Sequence, residues 1–313
     1  MNKILVTGGT GFVGARVVRQ LVEQGRDVAV LMRASSNSRR IDDLLNRCTV
    51  IRGDLAQIEA AGGALTHFSP EAVVHLAWEG VKGADRNSAV QMDNVVASIK
   101  LYQLTEKIGC RHFVGLGSQA EYGQLSGRIS ETAATSPTTA YGAAKLAAGL
   151  VLERTAVASG RPFAWLRLFS SYGPDDDPSW LIPYLIRSLL AGDKPSLTKA
   201  EQIWDYMHVN DVAAGVVAAL DAGACGLFNL GSGQARPLRE IILMIRDAID
   251  PSLPLGFGDV PYRPDQVMHL EANITALTSV APWRPQIDLV EGLTDLVQWH
   301  QFIGHEPTSA APR

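Results

Sequence analysis

The sequence is poor in cysteine. Three stand among 313 residues, Cys48, Cys110 and Cys225, odd in number, far apart and without a C-x-x-C pair. That spacing argues against a disulfide framework and a thiolate zinc site, and reads as reduced thiols in a cytoplasmic protein. Long apolar runs are missing too. No stretch approaches the ~18 apolar residues of a membrane-spanning helix. The apolar run in MNKILVTGG is too short for a signal peptide and reads as a buried strand. Net charge is small, with 28 Lys and Arg against 32 Asp and Glu, a formal −4. No strong field draws nucleic acid or an anionic membrane, so a bound anion has to be held by local basic residues. No carboxylate–histidine spacing supports a catalytic metal, so none is expected.

What is present is a substantial apolar fraction, 46%, arranged with a clear rhythm. Residues 3–7, 28–32, 49–51, 72–77, 112–117 and 163–169 are short apolar runs. Helical patterns separate them, including Val13, Val17, Leu21 and Val22, and segments near 87–108 and 140–159. Strands apolar on both faces, alternating with helices, predict an α/β fold with a doubly wound parallel Rossmann sheet. After Gly173-Pro174 prolines cluster and the alternation breaks. Helices are predicted near 180–191, 211–222, 237–249 and 288–303, with short strands at 206–209 and 227–230. The predicted organisation is a dinucleotide-binding domain over 1–173, with part of 206–230 returning to its sheet. A smaller C-terminal α/β substrate-binding lobe spans 174–304, and a disordered tail 305–313.

The stretch GGTGFVG (8–14) follows the first strand and opens a helix. Its glycines fit G-x-G-x-x-G from Gly9 or G-x-x-G-x-x-G from Gly8. Either register permits a tight turn and lets a pyrophosphate approach the backbone of Gly8, Gly11, Phe12, Val13 and Gly14 at a helix N-terminus. The second strand ends in Arg33, followed by hydroxyls and Arg39–Arg40, with no acid until Asp42. An acid there would bond an adenosine 2′-hydroxyl; an arginine suits a 2′-phosphate. NADP(H) is therefore favoured over NAD(H). Asp54 and Leu55, after the third strand, suit the adenine end, and Ala77, after the fourth, the cofactor's inner side. His75, inside an apolar strand, reads as a satisfied core histidine.

The stretch TAYGAAK places Tyr141 and Lys145 four apart, on one helix face. That helix follows the fifth strand, which ends in Ser118. A free phenol ionises near pH 10; bringing it to about 7 requires roughly 4 kcal/mol of preferential stabilisation, within reach of a nearby ammonium and the cofactor charge. Tyr141 can then exchange a proton with a carbonyl oxygen that Ser118 holds, while Lys145 bonds the nicotinamide ribose.

GGTGFVG, HLA (75–77), GSQAEYG (117–123), YGAAK (141–145), RLFSSYGP (167–174) and DYMHVNDVA (205–213) occur in order. Together they resemble the extended short-chain dehydrogenase/reductases of the NAD-dependent epimerase/dehydratase family, over about residues 3–270. The resemblance implies Ser118, Tyr141 and Lys145 as the catalytic set, a nucleoside-diphosphate sugar as substrate, and a homodimer through the helices near 87–108 and 140–159. Where 4,6-dehydratases resemble S-T-D-E-x-Y-G, this chain has Gln119 and Ala120, which cannot trade protons; Ala120 also replaces the cysteine of the C3/C5 epimerases. The implied activity is NADPH-dependent reduction of a 4-keto(-6-deoxy) sugar nucleotide. The alternatives are a 4-epimerase with retained cofactor, a reductase of non-sugar carbonyls, and a non-catalytic NADP(H) sensor. Substrate contacts are expected from Trp78, with its neighbour Glu79 near the nicotinamide or sugar, and from Gln119, Glu121 and Arg263. Substrate contacts are also expected from Ser170 and Trp204, which stand where relatives often carry Asn and Arg.

Overall fold

The computed structural model describes residues 1–263 and 266–305. Seven parallel strands form the central sheet: β1 (Lys3–Thr7), β2 (Asp27–Met32), β3 (Thr49–Arg52), β4 (Ala72–His75), β5 (His112–Ser118), β6 (Phe163–Leu168) and β7 (Gly226–Leu230). Their spatial order is β7-β6-β5-β4-β1-β2-β3. Chain direction along the sheet reverses between β1 and β4, and ligands of such sheets bind beyond the carboxyl ends of the strands at that switch.

The continuous apolar runs are explained by burial on two faces. Within β1, Ile4 and Val6 point into one core with Val17, Leu21, Val212 and Val216. Leu5, between them, points into another with Leu101, Phe113, Ala148 and Leu152. The first core lies under helices Phe12–Glu23 and Val209–Asp221, the second under Val90–Lys107 and Ala140–Ser159. The first helix ends at Gly25, whose φ is +74°, with Arg26 N–H donating to the Leu21 carbonyl at 3.0 Å.

The C-terminal half is only partly a separate lobe. Its helices Leu181–Leu190, Leu238–Ile249 and Leu289–His305 share a core containing Ile186, Ile242 and Leu296. Part of 206–230 does return to the sheet: Gly226–Leu230 pairs in parallel with β6, Gly226 against Ala164 through Leu230 against Leu168. Tyr206–His208 instead pairs with Ser170–Tyr172 outside it. The N-terminal half repays the loan, since Gly127–Ile129 joins the lobe's four-stranded sheet beside His269–Ala272. His305, the first residue of the expected tail, closes the last helix; the rest of that stretch, 306–313, lies outside the described residues. Among the described residues no helix is long and apolar enough to cross a membrane.

Candidate active site

The glycine loop joins the carboxyl ends of β1 and β4. Gly8 adopts a φ of +72°, and a Cβ there would lie 2.6 Å from the Ala77 nitrogen. A Cβ on Gly14 would run into the Gly8 carbonyl oxygen. Those two glycines let helix, turn and the chain leaving β4 approach one another. Gly11 donates to the Gly8 carbonyl at 2.9 Å and caps the helix Phe12–Glu23, with no side chain on the N-terminal amides. The uncapped helix start this leaves, with Phe12 and Val13 half-buried, fits a pyrophosphate. Asp54 caps the turn after β3, its Oδ1 accepting from Ala56 N–H at 2.9 Å. Leu55 beside it packs against the second core.

The basic residues after β2 already have protein partners. Arg33 pairs with Glu79. Glu79 thus faces the end of β2. Arg39 reaches Asp175 at 2.8 Å, Arg40 donates to the Asp175 carbonyl at 2.8 Å, and Arg16 holds the Pro174 carbonyl at 3.1 Å. Arg39 and Arg40 therefore fasten the 174–177 turn beside the glycine loop, Arg40 also reaching the Thr10 carbonyl at 3.4 Å.

Ser118, Tyr141 and Lys145 converge beyond β5. Thr139 caps the helix that carries the last two, accepting from Gly142 N–H at 3.1 Å. Lys145 Nζ donates to the Leu116 carbonyl at 2.6 Å and lies 3.8 Å from the centre of a Trp78 ring. Trp78 meets Tyr141 edge-on, with centroids 6.4 Å apart, and its Nε1–H donates to Gln91 Oε1 at 2.9 Å. Burial pushes the Lys145 ammonium down to about 7, partly opposed by Glu121. Burial also raises the Tyr141 phenol, against the pull of the Ser118 hydroxyl and of Arg86, which favour its ionised form.

Glu121 differs from expectation. It is fully buried, and none of its oxygens is left for a sugar hydroxyl. Oε1 accepts from Ser118 N–H and from the Trp165 indole, both at 2.9 Å, and Oε2 from Arg167 Nε at 2.7 Å. It fixes the backbone of Ser118 from behind. Gln119 beside it is half-buried. His75 is a satisfied core histidine: Thr7 Oγ1 lies 2.7 Å from Nδ1 and Ser98 Oγ 2.9 Å from Nε2.

Ser170 and Trp204 are brought together, the indole N–H donating to Ser170 Oγ at 2.7 Å while the ring packs against a small core with Tyr122 and Phe169. Arg263 is exposed and stands near enough to Arg86 for its charge to be felt there. Arg86, Gln91 and Asn87 were not singled out from the sequence. Arg86 and Asn87 lie on the short turn Gly83–Asn87 and Gln91 in the first turn of the helix Val90–Lys107; Asn87 Oδ1 accepts from Ala140 N–H at 2.9 Å, at the start of the catalytic helix.

A model of the NAD dependent epimerase/dehydratase family matches residues 4–231. The chain is 29% identical to a UDP-glucose 4-epimerase of Corynebacterium glutamicum, covering 91% of each chain. It is 27% identical to a dTDP-L-rhamnose 4-epimerase of Burkholderia thailandensis, covering 95% of this chain and 94% of that one. The crystal structure of the Thermus thermophilus UDP-glucose 4-epimerase in complex with NAD superposes with a TM-score of 0.84 at 25% identity, covering 97% of this chain and 99% of that one. The family model covers most of the chain, the strand order is that of a Rossmann sheet, and the chain belongs to the NAD-dependent epimerase/dehydratase family.

Proposed function

We propose that the protein transfers a hydride at C4 of a nucleoside-diphosphate sugar, reducing a 4-keto(-6-deoxy) sugar nucleotide with NADPH. The convergence of Ser118, Tyr141 and Lys145 under Trp78, with Gln119 and Ala120 where a dehydratase needs an acid and a base, carries this reading. A nicotinamide dinucleotide, when bound, supplies the hydride. Gly8, Gly11, Phe12, Val13 and Gly14 would hold its pyrophosphate, Asp54 and Leu55 its adenine end, Ala77 and Lys145 its inner ribose. Tyr141 gives its phenolic proton to the sugar oxygen and is left as phenolate. Ser118 holds that oxygen by a hydrogen bond as negative charge grows on it. Trp78, packed on both Lys145 and Tyr141, keeps water from the ammonium. Arg263 suits the substrate phosphates, and Gln119, Trp204 and Ser170 would line the sugar-nucleotide path.

The preference for the phosphorylated cofactor rests on Arg33 at the end of β2, where no acid stands. A second reading, 4-epimerisation with a retained cofactor, is favoured by the names of the relatives. It uses the same residues in both directions. Mixing purified protein with NADPH and a 4-keto-6-deoxy sugar nucleotide should consume the reduced nicotinamide absorbance. Interconversion of UDP-glucose and UDP-galactose without added cofactor, with no NADPH consumption, would replace the first reading by the second. A homodimer is proposed as well: Met92 and Val96 on one helix and Leu150, Val151 and Val157 on its neighbour are exposed apolar residues.

A further inference from the structure

We propose that Arg86 is a positioning residue for the proton-transfer group: its guanidinium covers the face of Tyr141 and stabilises the phenolate left when that side chain gives up its proton. This rests on Tyr141 being the group that exchanges the proton.

The geometry is specific. The Arg86 guanidinium carbon lies 4.4 Å from the centre of the Tyr141 ring, the arrangement of a cation on an aromatic face. Arg86 is half-buried and sits on the turn Gly83–Asn87. That turn is pinned from both sides. The buried Gln91 donates to the Gly80 and Asp85 carbonyls at 2.8 and 2.9 Å, and Asn87 receives the Ala140 N–H at the head of the helix bearing Tyr141. Arg86 Nη1 donates to the Val81 carbonyl at 3.3 Å. The arginine is therefore held over the phenol by the same segment that caps the phenol's helix.

Other charged groups face Tyr141 from each element packed around it. Glu121, behind the end of β5, opposes ionisation; the Ser118 hydroxyl favours it. Lys145, one turn along the helix, has its ammonium on the Leu116 carbonyl and the Trp78 ring. Arg263 stands beyond Arg86. Burial brings Lys145 to about 7, so its charge varies across the neutral range. A guanidinium does not lose its proton there. Arg86 thus supplies the charge on the phenol that stays constant with pH.

The test compares Arg86→Gln with Arg86→Lys. Tyr141 is followed by ultraviolet difference titration, each protein against its own Tyr141→Phe counterpart, with and without oxidised dinucleotide. Loss of an opposite charge at this range moves an ionisation by about one pH unit or more. Arg86→Gln should raise the Tyr141 transition by that amount, and Arg86→Lys should restore most of it. In sugar oxidation, which needs the phenolate, the acid limb of kcat should move up in step. An unmoved Tyr141 transition in Arg86→Gln overturns the proposal, as does a lysine variant shifted as far as the glutamine one. A loss confined to KM would make Arg86 a phosphate-binding residue instead, and also overturns it. The titration needs no substrate, so a protein inert toward every sugar nucleotide but showing the shift would sink the proposed activity and leave this inference standing.

Discussion

Glu121→Gln should destabilise the protein far more than a conservative exchange normally does. Gln retains the oxygen that accepts from Ser118 and Trp165, but it replaces Oε2, 2.7 Å from Arg167 Nε, with an amide NH₂. Both partners are almost wholly buried, at 1% and 3% side-chain exposure. Burial pushes the Arg167 guanidinium down and Glu121 pulls it above its ordinary range, so the carboxylate is what keeps this interior cation tolerable. Breaking a buried pair from one side costs about 3–5 kcal/mol. For a chain of this size that lowers Tm by roughly 5–8 °C. Calorimetry of the single variant against Glu121→Gln/Arg167→Met provides the check. The double variant removes the stranded charge and should recover much of the loss, while kcat well below the melt should fall much less than stability. A single-variant loss under about 1 kcal/mol, or a double variant no better than the single, would refute the reasoning.

Arg33→Ala should weaken NADPH by roughly tenfold or more, the worth of a charge-assisted hydrogen bond to phosphate, and leave NADH nearly unchanged. Glu79→Gln, which frees Arg33 from its partner, should shift preference further toward NADPH; isotherms for both dinucleotides read both effects, and equal losses for the two cofactors would refute the assignment. Burial holds His75 neutral, with its pKa lowered from 6.5 to about 3. Its contribution is therefore intact above about 6.5 and is lost as pH falls toward 3. Denaturant titrations over that window should show a shallower acid loss for His75→Asn, and an unchanged slope would contradict the account. Val157→Glu, at a side chain 71% exposed on the helix Ala140–Ser159, should yield monomers by sedimentation if that face is the dimer contact; an unaltered mass would exclude it.

The central sheet was legible because each strand buries both faces, which makes its run apolar throughout. Gly62–Phe68 was missed: it opens with two glycines and is too short to show a period. Gly127–Ile129 is three residues long, and its pairing partner lies more than a hundred residues away. At the site, Ser118, Tyr141 and Lys145 could be read because strand and helix bring a local pattern to a known place. Glu121 misled because its neighbour Ser118 belongs to the site, whereas its own side chain turns inward to Arg167. Glu79 and Arg86 act on residues 46 and 55 positions away, from irregular segments, and nothing periodic announces such contacts.

The return of Gly226–Leu230 to the sheet has a practical consequence. A fragment ending near residue 173 would contain the glycine loop and the whole Ser–Tyr–Lys set, yet its outermost strand would offer five residues, Ala164 to Leu168, to any passing chain. Stripping away Val209–Asp221 would also bare Val17 and Leu21. An unprotected strand of this kind is a template for aggregation, so the nucleotide-binding half should precipitate when expressed alone.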